Sequence, residues 1–216
     1  MNHPKVYSST AKEQWREHIY SLLTPKNCHK LVDKDGNFKH KWFEPIGTGA
    51  LPFEQLIATG RISESQLIGV DLDPSDEEGS RENIKNCRIK FPQAEFFDKD
   101  WKDVCSIYPR NDIGYIIFDL YNSSYGKPLK EMLRPTLRLI DGCRNEIGEV
   151  LIVINTVFSN SVRFNEGSAE KYAEEVEKIL QFSSIESIRQ TKIDPKTLYT
   201  YRGDTAEMGT YAIILR

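Results

Sequence analysis

Cysteine is scarce and scattered. Cys28, Cys87, Cys105 and Cys143 are the only four in 216 residues, and no two lie within three positions of each other. That spacing excludes a Cys-x-x-Cys motif and leaves too few bridges for a disulfide scaffold. Histidine is as rare: His3, His18, His29 and His40 are all N-terminal, and the pair near Cys28 lacks zinc-finger spacing. No apolar run approaches the roughly 18 residues that span a bilayer. The polar N-terminus lacks the apolar stretch of about 7–15 residues that marks a signal peptide. There is no phosphate-loop lysine motif and no Gly-x-Ser-x-Gly elbow, which excludes a P-loop ATPase and disfavours an α/β-hydrolase. A surplus of charge is missing too: 29 Lys and Arg against 32 Asp and Glu leave −3. A dedicated nucleic-acid binder is usually basic. These absences describe a reduced, cytoplasmic chain with no membrane partner. Lys39-His40-Lys41-Trp42 is a basic and aromatic cluster of the kind that binds single strands. It keeps nucleic acid open as a partner without favouring it, because most such clusters are merely solvated.

Hydrophobic residues make up 39% of the chain, enough for one full core without metal or disulfide staples. Residues 10–23 have helical spacing: Thr10 caps, Glu13 stands at the capping-box offset, and Trp15, Ile19, Leu22 and Leu23 make one apolar face. Residues 26–41 are polar, and the turn signal Asp35-Gly36-Asn37 marks a loop or short hairpin. Short apolar runs then alternate with helical patterns. Strands are expected over 41–45, 66–71, 94–97, 115–119 and 149–157. Helices are expected over 52–59, 75–90, 129–143 and 169–181, with Pro135 kinking or dividing the third of these. Strands over 185–193 and 210–216 end the chain, joined by a polar, turn-rich stretch over 194–209. Apolar strands separated by helices imply a parallel sheet covered on both faces, and two strands joined without a helix pair antiparallel. The expected fold is α/β: a doubly wound, mostly parallel seven-stranded sheet with an antiparallel C-terminal strand. Residues 1–41 form an N-terminal helical appendage and residues 42–216 the main domain.

Open parallel sheets bind ligands beyond the carboxyl ends of their strands, so residues at those ends are the site candidates. The first strand ends in Glu44-Pro45-Ile46-Gly47-Thr48-Gly49. Gly47 and Gly49 let a ligand approach the backbone, and the following helix offers free N–H groups to negative charge. The same glycines also suit a plain strand-to-helix turn. Asp71, at the end of the second strand, has the position and chemistry to accept from ribose hydroxyls, whereas Asp73 suits a helix cap. After the third strand, Asp100 is an acceptor for an adenine amino group and Trp101 an apolar ring beside it. A solvated loop with an anchoring tryptophan explains them equally well. The fourth strand ends in Asp119-Leu120-Tyr121-Asn122-Ser123-Ser124, groups that either orient a substrate or cap the next helix.

Taken together, these motifs resemble class I S-adenosylmethionine-dependent methyltransferases from about Phe43 to Arg216. The resemblance implies that Glu44, Gly47 and Gly49 pass the methionine part of S-adenosylmethionine. It implies that Asp71 holds the ribose, that Asp100 and Trp101 face adenine, and that Asp119 and Tyr121 adjoin the transferred methyl. The expected activity is methyl transfer to an acceptor the sequence does not specify. The glycine loop departs from the family's acid-x-Gly-x-Gly-x-Gly by one glycine and one residue. That departure motivates a second reading, a methyltransferase-like binding or accessory protein without catalysis. A nucleotide-dependent oxidoreductase on a related sheet is a third. Asp119 is not followed by the Pro-Pro-Tyr of adenine-N6 DNA methyltransferases, which argues against amino-methylation of DNA bases.

Overall fold

The computed structural model describes residues 10–71, 77–108, 111–119, 129–157, 193–202 and 207–216, with 174, 177, 178 and 180 between them. Short, largely apolar runs become the strands β1 (Lys41–Pro45), β2 (Leu67–Val70), β3 (Glu95–Phe97), β4 (Ile113–Asp119) and β5 (Val150–Val157), with β3 at one edge of the sheet. All of them pair in parallel. The chain closes with β6 (Ile193–Arg202) and β7 (Glu207–Leu215), and β7 runs antiparallel to both β5 and β6. Across the sheet the order is β3-β2-β1-β4-β5-β7-β6.

Side chains alternate across each strand, so neighbours such as Trp42 and Phe43 enter different cores. On one face Trp42, Tyr115, Leu151 and Ile214 pack with α1 (Thr10–Leu22), α2 (Leu51–Ala58) and α3 (Glu77–Lys90). On the other, Phe43, Ile116 and Ile152 pack with α4 (Trp101–Ile107) and α5 (Leu129–Ile147).

The N-terminal segment is built into the first of these cores. Trp15, Ile19 and Leu23 are buried there, and so are Cys28, Leu31, Val32 and Phe38. Asp33 accepts from the backbone N–H of Asp35 and of Asn37, and Gly36 takes φ +91°. This turn brings Val32 opposite Phe38 in an antiparallel bridge, the short hairpin expected over 26–41. Phe38 then stacks on Trp42 (5.8 Å, 24°) and Trp42 on Tyr115 (5.1 Å, 24°). Arg61 donates to the carbonyls of Gly36, Tyr20 and Leu23, tying the end of α1 to the hairpin.

Some expected elements differ. Residues 98–103, expected as a loop, contain the start of α4, capped by Asp100; seven residues are too few for a helical period to show in sequence. Pro135 does not divide α5, which runs through to Ile147. The one backbone bond a proline removes is offset by burial of Thr136, Leu137, Ile140 and Cys143 just beyond it. The strand expected over 185–193 lies outside the described residues except for Ile193, while a strand lies at Ile193–Arg202, inside the stretch that looked turn-rich. Its Thr and Tyr residues favour strands despite their polarity. Pro195 is tolerated because β6 is an edge strand with a register shift between Ile193 and Lys196. The helix expected over 169–181 lies outside the described residues except for four positions.

Close packing around β2 gives one stability expectation. A Cβ on Gly69 would lie 2.7 Å from the buried Phe96 ring and 3.1 Å from Ile46. Gly69→Ala should therefore cost about 1–3 kcal/mol. The check is a lower urea midpoint with an unchanged slope; an unshifted midpoint would show that the Phe96 ring yields freely.

Candidate active site

Strand order reverses between β1 and β4, which opens a crevice at their carboxyl ends, the place where doubly wound sheets receive ligands. At that edge β1 leads into Gly47, a single turn of 3-10 helix at Thr48–Ala50, and then α2. Gly49 has φ +78°, a region that suits glycine, and Ala50 follows at φ +52°. A non-glycine residue in that region costs on the order of 1–3 kcal/mol, and such strain concentrates at functional sites. The space where Cβ atoms of Gly47 and Gly49 would stand is open.

Asn83 of α3 organises this loop. Its Oδ1 accepts from the Gly49 N–H (2.9 Å), and its Nδ2 donates to the Gly47 carbonyl (3.2 Å) and to Asp71 Oδ2 (2.6 Å). One amide thus fixes both glycines of the turn and the acid that follows β2. Asp71 is half-buried, and its N–H continues the ladder to the Phe97 carbonyl (3.1 Å).

Glu44, the acid near the end of β1, is 1% exposed. Its carboxylate accepts from the Trp42 indole N–H (2.9 Å) and from Arg16 Nη2 (3.2 Å). Arg16 is 4% exposed and its Nη1 also donates to Gln55 Oε1 of α2 (3.3 Å). A desolvated ion pair therefore joins α1 to the root of the glycine turn. The same carboxylate contributes to holding the buried Tyr20 phenol above its ordinary range, with burial the larger cause.

Asp100 and Trp101 open α4. Asp100 Oδ1 accepts from the Lys102 N–H (2.9 Å), the bond of a helix cap. Trp101 stacks on Phe43 (4.4 Å, 28°) and leans on Phe118 (4.7 Å, 49°), and its indole N–H is buried with no hydrogen-bond partner among the described residues. Asp119 is the last residue of β4, in backbone register with Asn155 of β5. Tyr121 and Asp73 lie outside the described residues.

Arg16, Gln55, Asn83 and Asn155 were not singled out by sequence. Asn155 is fully buried and its Oδ1 accepts from the buried Thr210 hydroxyl (2.9 Å). Its signal was there to read, as an amide inside an otherwise apolar strand. Arg16 stood between apolar-stripe positions of α1, and Asn83 was one polar residue among many on α3. Trp42, read as part of a basic and aromatic cluster, is 2% exposed, and Lys41 pairs with Glu95. That indole has no face for a base. A separate depression of about 720 Å³ lies near the amino ends of β1 and β4, lined by Lys30, Lys39, His40, Asn111, Asp112, Glu146 and Ile147. It is at the far end of the strands from the glycine turn. No described helix is long and apolar enough to cross a membrane.

No family model and no curated protein sequence matches the chain. Solved structures do. An O-methyltransferase from Bacillus cereus in complex with S-adenosylhomocysteine aligns with TM-score 0.55 at 10% identity, over 99% of this chain and 84% of that one. The methyltransferase domain of METTL16 aligns with TM-score 0.54 at 8% identity, over 99% and 72%. The N-methyltransferase NodS from Bradyrhizobium japonicum, in complex with S-adenosylhomocysteine, aligns with TM-score 0.52 at 10% identity, over 100% and 93%. The fold is that of the class I S-adenosylmethionine-dependent methyltransferases, as the resemblance in sequence implied.

Proposed function

We propose that this protein is an S-adenosylmethionine-dependent methyltransferase built on the seven-stranded, doubly wound form of that fold. The observation that carries the reading is the Asn83 bracket, which joins the Gly47–Gly49 backbone to Asp71 across the carboxyl ends of β1 and β2. The residues present fit the cofactor. Open space over both glycines admits its chain against the backbone, Asp71 offers a half-buried carboxyl group to ribose hydroxyls, and the Trp101 N–H, buried and without a partner among the described residues, gives the adenine side a donor. S-adenosylmethionine, when bound, supplies a sulfonium methyl open to in-line attack. The protein's part is positioning and exclusion of water. Glu44 and the glycine turn hold the amino-acid end, Asp100 and Trp101 line the adenine side, and Asp119 with Tyr121 orients the acceptor and takes its proton where one must leave.

The two complexes above are named for methylating oxygen and nitrogen respectively, so the fold selects no acceptor atom. The N-terminal helix and the Lys26–Lys41 loop that follows it roof the crevice and help choose the acceptor. Four free, buried thiols suit the reducing cytoplasm.

The test is a melting-temperature panel with S-adenosylmethionine, S-adenosylhomocysteine, NAD and ATP. A ligand at 100 times its dissociation constant stabilises by about 2.7 kcal/mol. The first two should raise the midpoint and the last two should not; a response to NAD alone would favour the oxidoreductase reading. Asp71→Ala should then weaken S-adenosylhomocysteine more than tenfold, since a hydrogen bond to a charged group is worth about 1.5–3 kcal/mol. Unchanged affinity in a folded Asp71→Ala protein would remove Asp71 from the site.

A further inference from the structure

The depression at the amino ends of β1 and β4 has no part in the proposed methyl transfer, yet its lining carries charge of both signs. Two lysines, Lys30 and Lys39, and two acids, Asp112 and Glu146, share it. None of the four side chains makes an ion pair among the described residues, whereas Lys41, Lys85 and Lys90 each pair with a glutamate. Oδ1 of Asp112 is buried with no hydrogen-bond partner among the described residues. An unsatisfied acceptor is costly, so a donor brought to this carboxyl group offsets a loss already present in the fold.

The groups around the depression are fixed by the backbone and by close packing. The Lys39 N–H donates to the Leu31 carbonyl (2.9 Å), and His40 Nε2 donates to the Lys30 carbonyl (3.0 Å). These bonds bring both lysines of the hairpin to the same place. The stem of Lys30 runs beside Gly148, its Cγ and Cε each 3.9 Å from where a Cβ would stand. Within α5, a Cβ on Gly142 would lie 2.5 Å from Asn111 Oδ1. A glycine inside a helix is destabilising relative to alanine, and here it gives the amide beside Asp112 its seat.

Two unpaired lysines suit a phosphate, which lysine binds as a point charge. Acids suit the amino group of a base, as when Asp or Glu accepts from cytosine N4. Ile147 adds an apolar surface, and the volume of about 720 Å³ is that of a small-molecule site. We propose that this depression is a second binding site for a nucleoside monophosphate unit, with the phosphate on Lys30 and Lys39 and the amino group on Asp112 and Glu146. The unit is a free nucleotide or one residue of a single-stranded RNA. The site is independent of the cofactor crevice and lies at the other end of the sheet.

Calorimetry on the full chain tests it with CMP, cytidine and inorganic phosphate. A cytosine probe is used because the glycine-turn crevice is read as taking adenine. CMP should bind once per chain, at least about tenfold tighter than cytidine or phosphate, because each fragment forgoes one set of charge-assisted bonds. Lys30→Gln combined with Lys39→Gln changes two exposed side chains and should bring CMP down to about the affinity of cytidine. Asp112→Asn should weaken CMP about fivefold or more and leave phosphate within about twofold. No binding of CMP, equal affinity for CMP and phosphate, or an unchanged CMP affinity in the lysine variant would each overturn the proposal. So would displacement of CMP by S-adenosylhomocysteine, which would put both in one crevice. The lysine variant decides even if Asp112→Asn does not fold. A hexacytidylate without a terminal phosphate separates the two sources. Binding at least as tight as CMP, and lost in the lysine variant, assigns the site to RNA; weaker binding than CMP assigns it to a free nucleotide.

Discussion

A chain beginning at Lys39 should not fold. Removing residues 1–38 strips Trp15, Ile19, Leu23, Leu31, Val32 and Phe38 from the core that covers Trp42 and Tyr115, and all six are at most 3% exposed. A fully buried side chain of this kind is worth about 1.5–3 kcal/mol. The sum reaches the whole net stability of an ordinary domain, about 5–15 kcal/mol. The deletion also breaks the Arg16–Glu44 pair and leaves Glu44 uncompensated, a loss of about 3–5 kcal/mol where one partner of a buried pair is removed. The expected product has no cooperative urea transition and no near-ultraviolet dichroism. A truncated chain with a sharp transition and native dichroism would show that the first 38 residues are dispensable to the core. Its cofactor affinity and methylation rate would then decide whether they roof the site.

Asn83→Ala carries the second large effect. The change removes one amide and with it the bonds to Gly47, Gly49 and Asp71. Binding of S-adenosylhomocysteine should weaken more than tenfold, because both the turn and the ribose acid lose their fixed positions. The melting point should fall by about 2–4 °C per kcal/mol lost. Asn83→Asp should behave differently and reveal the contact directly. It sets a second carboxylate where the amide nitrogen stood 2.6 Å from Asp71. Two carboxylates that close cannot both ionise cheaply, so one of them has its folded-state pKa raised. A raised pKa contributes stability at low pH that is lost as pH rises through it. The Asn83→Asp deficit should therefore shrink as pH falls from about 8 toward about 5. Asn83→Ala introduces no such carboxylate pair, so its deficit should lack this dependence. A flat profile for both would mean that Asn83 and Asp71 are not in contact in solution.

What the sequence by itself determined lies in local patterns. The apolar stretches 115–118 and 150–154 have no polar face and had to become interior strands between helices. Glycine at 49 was needed for a positive φ, and Asp71 and Asp119 at strand ends had to reach the edge of a parallel sheet. Those are short-range consequences of side-chain shape, and they were enough to mark the glycine turn and the acids around it. What only the tertiary structure decided depends on elements far apart in the chain. The helix over Thr10–Leu22 carries an apolar stripe in either case, but whether it hangs off the domain or fills its core depends on the surface that Trp42, Phe53 and Tyr115 leave for it. The strand at Ile193–Arg202 looks polar in isolation and forms because β7 supplies a partner along its length. Arg16 and Glu44 are 28 positions apart, and Asn83 and Gly49 are 34 apart. No spacing rule links such pairs. They meet because parallel strands with crossover helices return the carboxyl end of each strand, and the helix that follows it, to one edge of the sheet.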